Sequence, residues 1–395
     1  MLDTAEIRAA LAAVPETPAL VFSQAELSDS ARRIRAATDD AGVSLLYAMK
    51  PCTLSWVMEE LAAHVTGFTA SSPFEIRLAR QVLGDSRKVH YYGVAVAEHE
   101  FAEIGRSCDY ISFNSIGQLE RYGPETPDLT SPGLRLNPGI SFVSDERYDP
   151  CRRHSKLGAP IERIIAAEHG SHDISAVAQG LLMHTNCESD DLLDLFATAS
   201  AVDDRLGLLL DRMDWVNLGG GYTFGSATDF APLNDASALL RSDREIEIFI
   251  EPGAAFVADA GFIVSTVLDV FDSGGVDVAV LDTSVNHMPE VFEYQYEPDV
   301  LDYAPDGSHR YILAGRSCLA GDVLGDYRFE EPLTPGSRVA ILGMGAYTQP
   351  KAHTFNGINL PDAYAMLESG ELTLLQSTSY GDFAARNGAS QVAVS

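Results

Sequence analysis

The chain has 395 residues, 46% of them hydrophobic, and a formal net charge of −30. That length suggests two domains, or one barrel with an addition, and no run approaches the roughly 20 apolar residues of a membrane span. The charge argues against nucleic acid or an anionic membrane as partner, since both need basic surface; an acidic field serves solubility and attracts cationic small molecules.

The amphipathic N-terminus, acidic early, lacks the basic start and apolar block of a signal peptide. "PALVF" (18–22) reads as a strand. Eight further strand-like runs follow: "VSLLYAMK" (43–50), "GFTASS" (67–72), "KVHYYG" (88–93), "YISFNS" (110–115), "GLRLNPG" (133–139), "AQGLLMHT" (178–185), "WVNLGGG" (215–221) and "EIFIEPG" (247–253). Between them lie stretches such as "SWVMEELAAH" and "SPFEIRLARQVL", with apolar residues at helical spacing. Strands alternating with helices mean parallel strands, and eight such units close a (β/α)8 barrel. After residue 262 the texture changes. "FIVSTVLDVF", "VDVAVLDTS", "HRYILAG" and "GSRVAILGMG" are short, β-branched and bounded by Gly, Asp and Pro. Helical spacing returns in "LPDAYAMLESG" (360–370), and the tail "ARNGASQVAVS" (385–395) reads as loose. The predicted architecture is α/β: a (β/α)8 barrel over 23–262, and an all-β, sandwich-like domain from 263–395 joined by the N-terminal strand in 1–22.

Polar or glycine residues collect at the C-terminal ends of seven of the eight runs: Lys50, Ser71, Asn114, Asn137, His184, glycines 219–221 and Glu251. In a barrel these ends share the face on which active sites are built. Lys50 either meets solvent as an ordinary strand-end lysine or does chemistry with its amine. Lysine is scarce here, occurring only at 50, 88, 156 and 351, and Lys50 has the most apolar setting. "NLGGGY" (217–222) is either a tight turn or a cradle whose N–H groups, with the positive end of the following helix, hold a phosphate. Glu251 pairs with a cation in the site, such as a protonated pyridine nitrogen, or with a residue at the rim. His184 is structural, or stacks on a flat cofactor and moves a proton. "GRSCLAGD" (315–322) places Cys318 and Asp322 in a glycine-rich turn, and Tyr347 follows a strand from which its hydroxyl could reach a phosphate. An amine for a Schiff base, a phosphate cradle and a carboxylate for a pyridinium are what pyridoxal 5′-phosphate asks of a protein. No HxH, HExxH or carboxylate cluster suggests a metal, and no GxSxG elbow suggests a serine nucleophile. The five cysteines (52, 108, 151, 187, 318) are odd in number and without CxxC spacing, which fits a reducing cytoplasm better than disulfides or structural zinc.

Taken together, "YAMKP", "TASSPFEI", "ISFNSIGQL", "LRLNPGIS", "YDPCRRHSKLGAP", "VNLGGGY", "EPGAA", "LDTSVNHMPEVFEYQYEPDV", "GRSCLAGDVLGDY" and "AYTQPKAHTFNGINLP" resemble the fold-type III pyridoxal-phosphate decarboxylases. This group acts on ornithine, diaminopimelate and arginine, and the segments are most similar to its carboxynorspermidine/carboxyspermidine branch. The resemblance implies that Lys50 forms the Schiff base, that His184 stacks on the ring and that Arg135 supports the site beneath it. It further implies that Gly219, Gly220, Gly221 and Tyr347 hold the phosphate and that Glu251 pairs with the ring nitrogen. A homodimer with shared sites follows, in which Cys318 of a neighbour stands near the α-carbon and Asp322 near the distal amine. A cationic substrate would also be received by Glu293, Glu297 and Tyr294, of which the two glutamates equally read as solvated loop charges. Leu319 stands where ornithine decarboxylases carry an aspartate, and "EPGAA" lacks their arginine after EPG. The alternatives are a decarboxylase of a related amino acid or aminocarboxypropyl-bearing metabolite, a racemase and a non-catalytic cofactor carrier. Glu251 argues against the racemase, which uses an arginine at the ring nitrogen. The C-terminal β domain argues against the carrier.

Overall fold

Seventeen strands are found among the described residues, 2–170 and 173–389 of the computed structural model. The chain divides into two compact units: Ser30–Ala255, and a second drawn from the residues up to Asp29 and from Phe256 onward. Strand β1 (Ala19–Ser23) belongs to the second unit. The first holds β2 (Ser44–Ala48), β3 (Gly67–Ala70), β4 (Lys88–Tyr92), β5 (Tyr110–Phe113), β6 (Ser131–Asn137), the two-residue β7 (Ala159–Pro160), β8 (Gly180–Met183), β9 (Trp215–Asn217) and β10 (Glu247–Ile250).

Leaving out β7, which only extends β6, these eight strands pair in parallel and in sequence, and β10 returns to β2 to close the barrel. Each corresponds to one of the eight runs read from the sequence. Aromatic contacts join strands that are not neighbours: Tyr110 of β5 meets Trp215 of β9 edge-on with ring centroids 5.5 Å apart, and His90 of β4 meets Phe249 of β10 at 4.4 Å. Such contacts cross the interior, which is therefore a packed core. Trp215 fits because the same row of the two preceding strands carries Gly133 and Gly180. A Cβ on Gly180 would stand 2.0 Å from the indole.

The helices between strands start on local caps. Ser72 accepts from the Glu75 N–H and precedes Pro73 at the first turn of Pro73–Leu83. Ser115 caps Ile116–Tyr122 in the same way. The Ser71 N–H donates to the Glu75 carboxylate, 2.6 Å. The "SSPFE" motif thus serves the helix start.

The second unit holds β11 (Gly261–Asp272), β12 (Asp277–Leu281), β13 (His309–Ala314), β14 (Val323–Phe329), β15 (Arg338–Ile341), β16 (Asp362–Met366) and β17 (Leu372–Gln376). The sheet order is β14-β13-β12-β11-β1-β16-β17, with β15 also on β11. β1 pairs antiparallel with β11 and parallel with β16, so the N-terminal strand is central to this sheet. Its five residues are all buried, which is why "ALVF" reads as an unbroken apolar run. Within "LPDAYAMLESG" the helical reading is overturned. Ala363–Met366 are buried and pair with β1 from Leu20 to Ser23, so tertiary pairing overrides the local spacing. Of the tail, Ala385 and Arg386 end the helix Tyr380–Arg386, and 390–395 lie outside the described residues.

Gly180→Ala drives a methyl group into Trp215 in a filled barrel. It is expected to cost about 1–3 kcal/mol and to lower the thermal midpoint of the purified protein; an unchanged midpoint would contradict this packing.

Candidate active site

The C-terminal ends of the barrel strands bring the predicted chemical residues together. Lys50 follows β2, His184 follows β8, the glycines follow β9 and Glu251 follows β10. Barrel closure sets the first and last of these side by side, since the Ala48 N–H donates to the Pro252 carbonyl at 3.0 Å.

Glu251 is buried, and its Oε2 accepts from Thr69 Oγ1 at 2.9 Å and Asn217 Nδ2 at 3.0 Å. Burial raises its pKa above the ordinary carboxylate value, against the lowering pull of these two bonds and of the Lys50 and Arg135 charges. A carboxylate held here against desolvation has most to gain from a cation placed directly on it. Thr69 and Asn217 were not singled out from the sequence, although Thr69 lies in "GFTASS" and Asn217 opens "NLGGGY". Their signal was a polar residue within an apolar strand.

His184 is half-buried, and its Nδ1 accepts the Gly220 N–H at 3.0 Å. That bond leaves Nδ1 bare and assigns the proton of the neutral ring to Nε2. Burial, then the charges of Lys50 and Arg135, hold its pKa well below the usual imidazole range. Arg135 is buried, reaches the His184 carbonyl with one nitrogen at 3.5 Å and lies 4.5 Å from the centroid of the Tyr92 ring. It therefore touches the backbone of His184, and its Nε has no hydrogen-bond partner among the described residues. Cys151 Sγ also approaches that carbonyl, at 3.8 Å. Lys50 is exposed, which corrects the expectation of an apolar setting.

The glycine turn differs from the expected open cradle. The Gly219 N–H donates to Asn217 Oδ1 at 2.8 Å, and the Gly220 N–H is taken by His184. Only the Gly221 N–H has no partner among the described residues. The next helix, Ala231–Arg241, begins too far along the chain to offer its positive end. The glycines are needed for close approach. Cβ atoms at 219, 220 and 221 would fall 2.4, 2.4 and 2.2 Å from the carbonyls of Met183, Glu251 and Asn186, and Gly219 and Gly221 have positive φ of 74° and 92°. Asn114 and Asn137 bind the loop after β6: Asn114 Nδ2 donates to the Lys156 carbonyl at 2.9 Å, and Asn137 Nδ2 to that of Leu157 at 3.3 Å.

The remaining predicted residues lie in the second unit. Tyr347 is half-buried, with φ 55° and Lys351 Nζ 5.9 Å from its ring centroid. Cys318 is exposed, and its N–H donates to Asn356 Oδ1 at 2.7 Å. Asp322 is buried and does not present a free carboxylate. It accepts from Ser284 Oγ, the Val285 N–H and the Ser317 N–H at 2.9, 2.8 and 2.9 Å. Glu293 is ion-paired with Lys351, which also reaches Glu290 at 3.3 Å. Glu297 accepts the Asp326 N–H at 3.0 Å, and Tyr294 closes the helix Pro289–Tyr294. Both glutamates thus have protein partners. Among the described residues no three His, Cys, Asp or Glu side chains group as metal ligands, and no helix is long and apolar enough to cross a membrane.

His90, His184 and His287 all have pKa values lowered by burial, His287 to about 4. Below about pH 6.5 the unfolded chain takes up protons that the folded chain refuses, so stability falls as pH falls, by up to about 1.4 kcal/mol per pH unit for each imidazole. Glu251, with its raised value, acts with the opposite sign as pH rises above the usual carboxylate range. The urea midpoint is expected to drop between pH 6.5 and 5, less steeply in His287→Gln; a flat profile would contradict the neutral imidazoles.

An amine, an imidazole with a fixed tautomer and a buried carboxylate at one barrel mouth fit pyridoxal phosphate: Lys50 for the aldehyde, His184 for the ring face and Glu251 for a protonated ring nitrogen. Residues 25–258 match the family described as pyridoxal-dependent decarboxylase, pyridoxal binding domain. A carboxynorspermidine/carboxyspermidine decarboxylase of Herminiimonas arsenicoxydans is 32% identical over 93% of this chain and 98% of its own. A carboxyaminopropylagmatine decarboxylase of Synechocystis is also 32% identical, over 94% and 95%. The crystal structure of carboxynorspermidine decarboxylase complexed with norspermidine from Campylobacter jejuni superposes with a TM-score of 0.85 at 28% identity, covering 94% of this chain and all of that one. With the barrel, its amine and its buried carboxylate in place, the chain belongs to the pyridoxal-dependent decarboxylases, enzymes that work with pyridoxal phosphate.

Proposed function

We propose that this enzyme decarboxylates a carboxylated polyamine, carboxynorspermidine or carboxyspermidine, releasing norspermidine or spermidine. The observation that carries the reading is the juxtaposition of Lys50, His184 and Glu251 at one barrel mouth, in a chain whose full-length relatives bear these activities in their names. Bound pyridoxal phosphate supplies an electron sink for the pair left when the α-carboxylate departs as CO2. Glu251 holds the proton on the ring nitrogen that deepens this sink. His184, its ring fixed by Gly220, packs on the ring face, and Arg135 supports it through the carbonyl of the same residue. Gly221, with its N–H left without a partner among the described residues, would hold the phosphate. Lys50 would hold the cofactor through its amine.

Cys318 returns a proton to the α-carbon, from a second copy of the chain. Its exposed position, on a loop whose Gly321 packs against the 45%-exposed Phe292, supports a partner that covers this face. Glu293, Glu297 and Tyr294 receive the substrate's ammonium groups, Glu293 by exchanging its bond to Lys351. Five free thiols support a reducing, cytoplasmic setting. A second reading has its own support, the equal identity of the Synechocystis relative: an aminocarboxypropyl substrate that ends in a guanidinium.

The test is CO2 release across carboxynorspermidine, carboxyspermidine, carboxyaminopropylagmatine, L-ornithine, L-lysine, L-arginine and meso-diaminopimelate. Turnover confined to the first two is expected; turnover of the third alone selects the second reading, and of the amino acids alone overturns both. Lys50→Ala should abolish turnover. Cys318→Ala should slow it or divert the proton to the cofactor carbon, a product seen in the absorbance spectrum; an unchanged rate and product would remove Cys318 from the reaction.

A further inference from the structure

Asp322 ends the loop that joins β13 to β14, and Cys318 lies inside that loop. Its carboxylate is 3% exposed and bound on several sides. Oδ2 accepts both the Ser284 hydroxyl and the Ser317 N–H, each at 2.9 Å, and Oδ1 accepts the Val285 N–H at 2.8 Å. Gly315 packs against what is left, since a Cβ there would stand 2.2 Å from Oδ1 and 2.5 Å from Oδ2. A carboxylate oxygen has two lone pairs. Those of Oδ2 are both used, and Oδ1 is covered by backbone, so an incoming ammonium has no lone pair to reach without breaking these bonds.

The same bonds tie the start of the loop, its end and the segment 284–285 into one frame. The Asp322 N–H turns back to the Leu319 carbonyl at 3.0 Å, and the Gly315 N–H donates to the Asp322 carbonyl at 2.9 Å. Cys318 sits between the held positions 317 and 319, and its own N–H is fixed on Asn356. We propose that Asp322 is a positioning residue, which sets the backbone that presents the Cys318 thiol, and that it does not receive the substrate's distal amine. The proposal rests on the reading of Cys318 as proton donor.

Asp322→Asn keeps one acceptor oxygen but turns the other into a donor facing an N–H. Ser284→Ala removes one donor and leaves the carboxylate in place. In the holoenzyme without substrate, the rate of Cys318 alkylation by iodoacetamide is followed by peptide mapping; kcat and KM are then measured for each accepted substrate. The expected result for Asp322→Asn is an alkylation rate changed at least about 3-fold and a kcat lowered about 10-fold or more for every substrate, with KM within about 3-fold. Ser284→Ala should shift both in the same direction by less, and it carries the test if Asp322→Asn does not fold. Unchanged alkylation and kcat, with KM raised about 10-fold or more only for substrates with a distal ammonium, would overturn the proposal. Alkylation needs no turnover, so a failed substrate panel and a failed positioning role are separable results.

Discussion

The site depends on barrel closure. β10 pairs with β2 at Phe249↔Ser44 and Ile250↔Leu45, and the Ala48 N–H extends the ladder to Pro252. This seam unites the first and last barrel strands, far apart in sequence, and brings Lys50 near enough for its charge to bear on Glu251. Parallel pairing offers little local reward before the whole ring is complete. The two residues therefore meet only when every intervening strand is in register. A filled interior secures that register, with Trp215 spread over Gly133 and Gly180 and against Phe249 and Tyr110.

On this scaffold the electrostatics are arranged in advance. Two cations, Lys50 and Arg135, bear on one imidazole and one carboxylate. They help keep His184 neutral, suited to packing against a flat ring. Glu251 is pulled two ways, toward protonation by its burial and toward ionisation by its neighbours. A protonated ring nitrogen would settle that balance in favour of the ion pair. In the second unit, the exposed loop that carries Cys318 is held by its backbone. The Asp322 carboxylate accepts the Ser317 N–H, and the Asn356 amide oxygen accepts that of Cys318.

Much of this was legible in the chain. Strand ends rich in polar residues, recurring at βα spacing, pointed to the barrel and to Lys50, His184 and Glu251 as neighbours at one end of its strands. What escaped the reading were relations between distant residues. "GGG" suggested free N–H groups, yet His184 and Asn217 occupy two of them, because glycines that let strand ends approach closely also bring their own donors within reach of neighbours. Asp322 looked like a substrate carboxylate, but its three donors come from Ser284, Val285 and Ser317, and burial cannot be read from one residue's spacing. "DAYAM" looked helical because its partner strand, β1, lies at the opposite end of the chain. Thr69 and Asn217 drew no notice because a hydroxyl or an amide in a strand is common; only their shared acceptor makes them part of the site.

The central claim is that the amine of Lys50 carries the cofactor in a site built by barrel closure. The most direct measurement is borohydride reduction of the purified, cofactor-loaded protein, followed by digestion and mass mapping of the pyridoxyl group. The account predicts one modified peptide, containing "YAMKP", with the label on Lys50. A label on Lys88, Lys156 or Lys351, or none at all in protein that retains its cofactor, would contradict it.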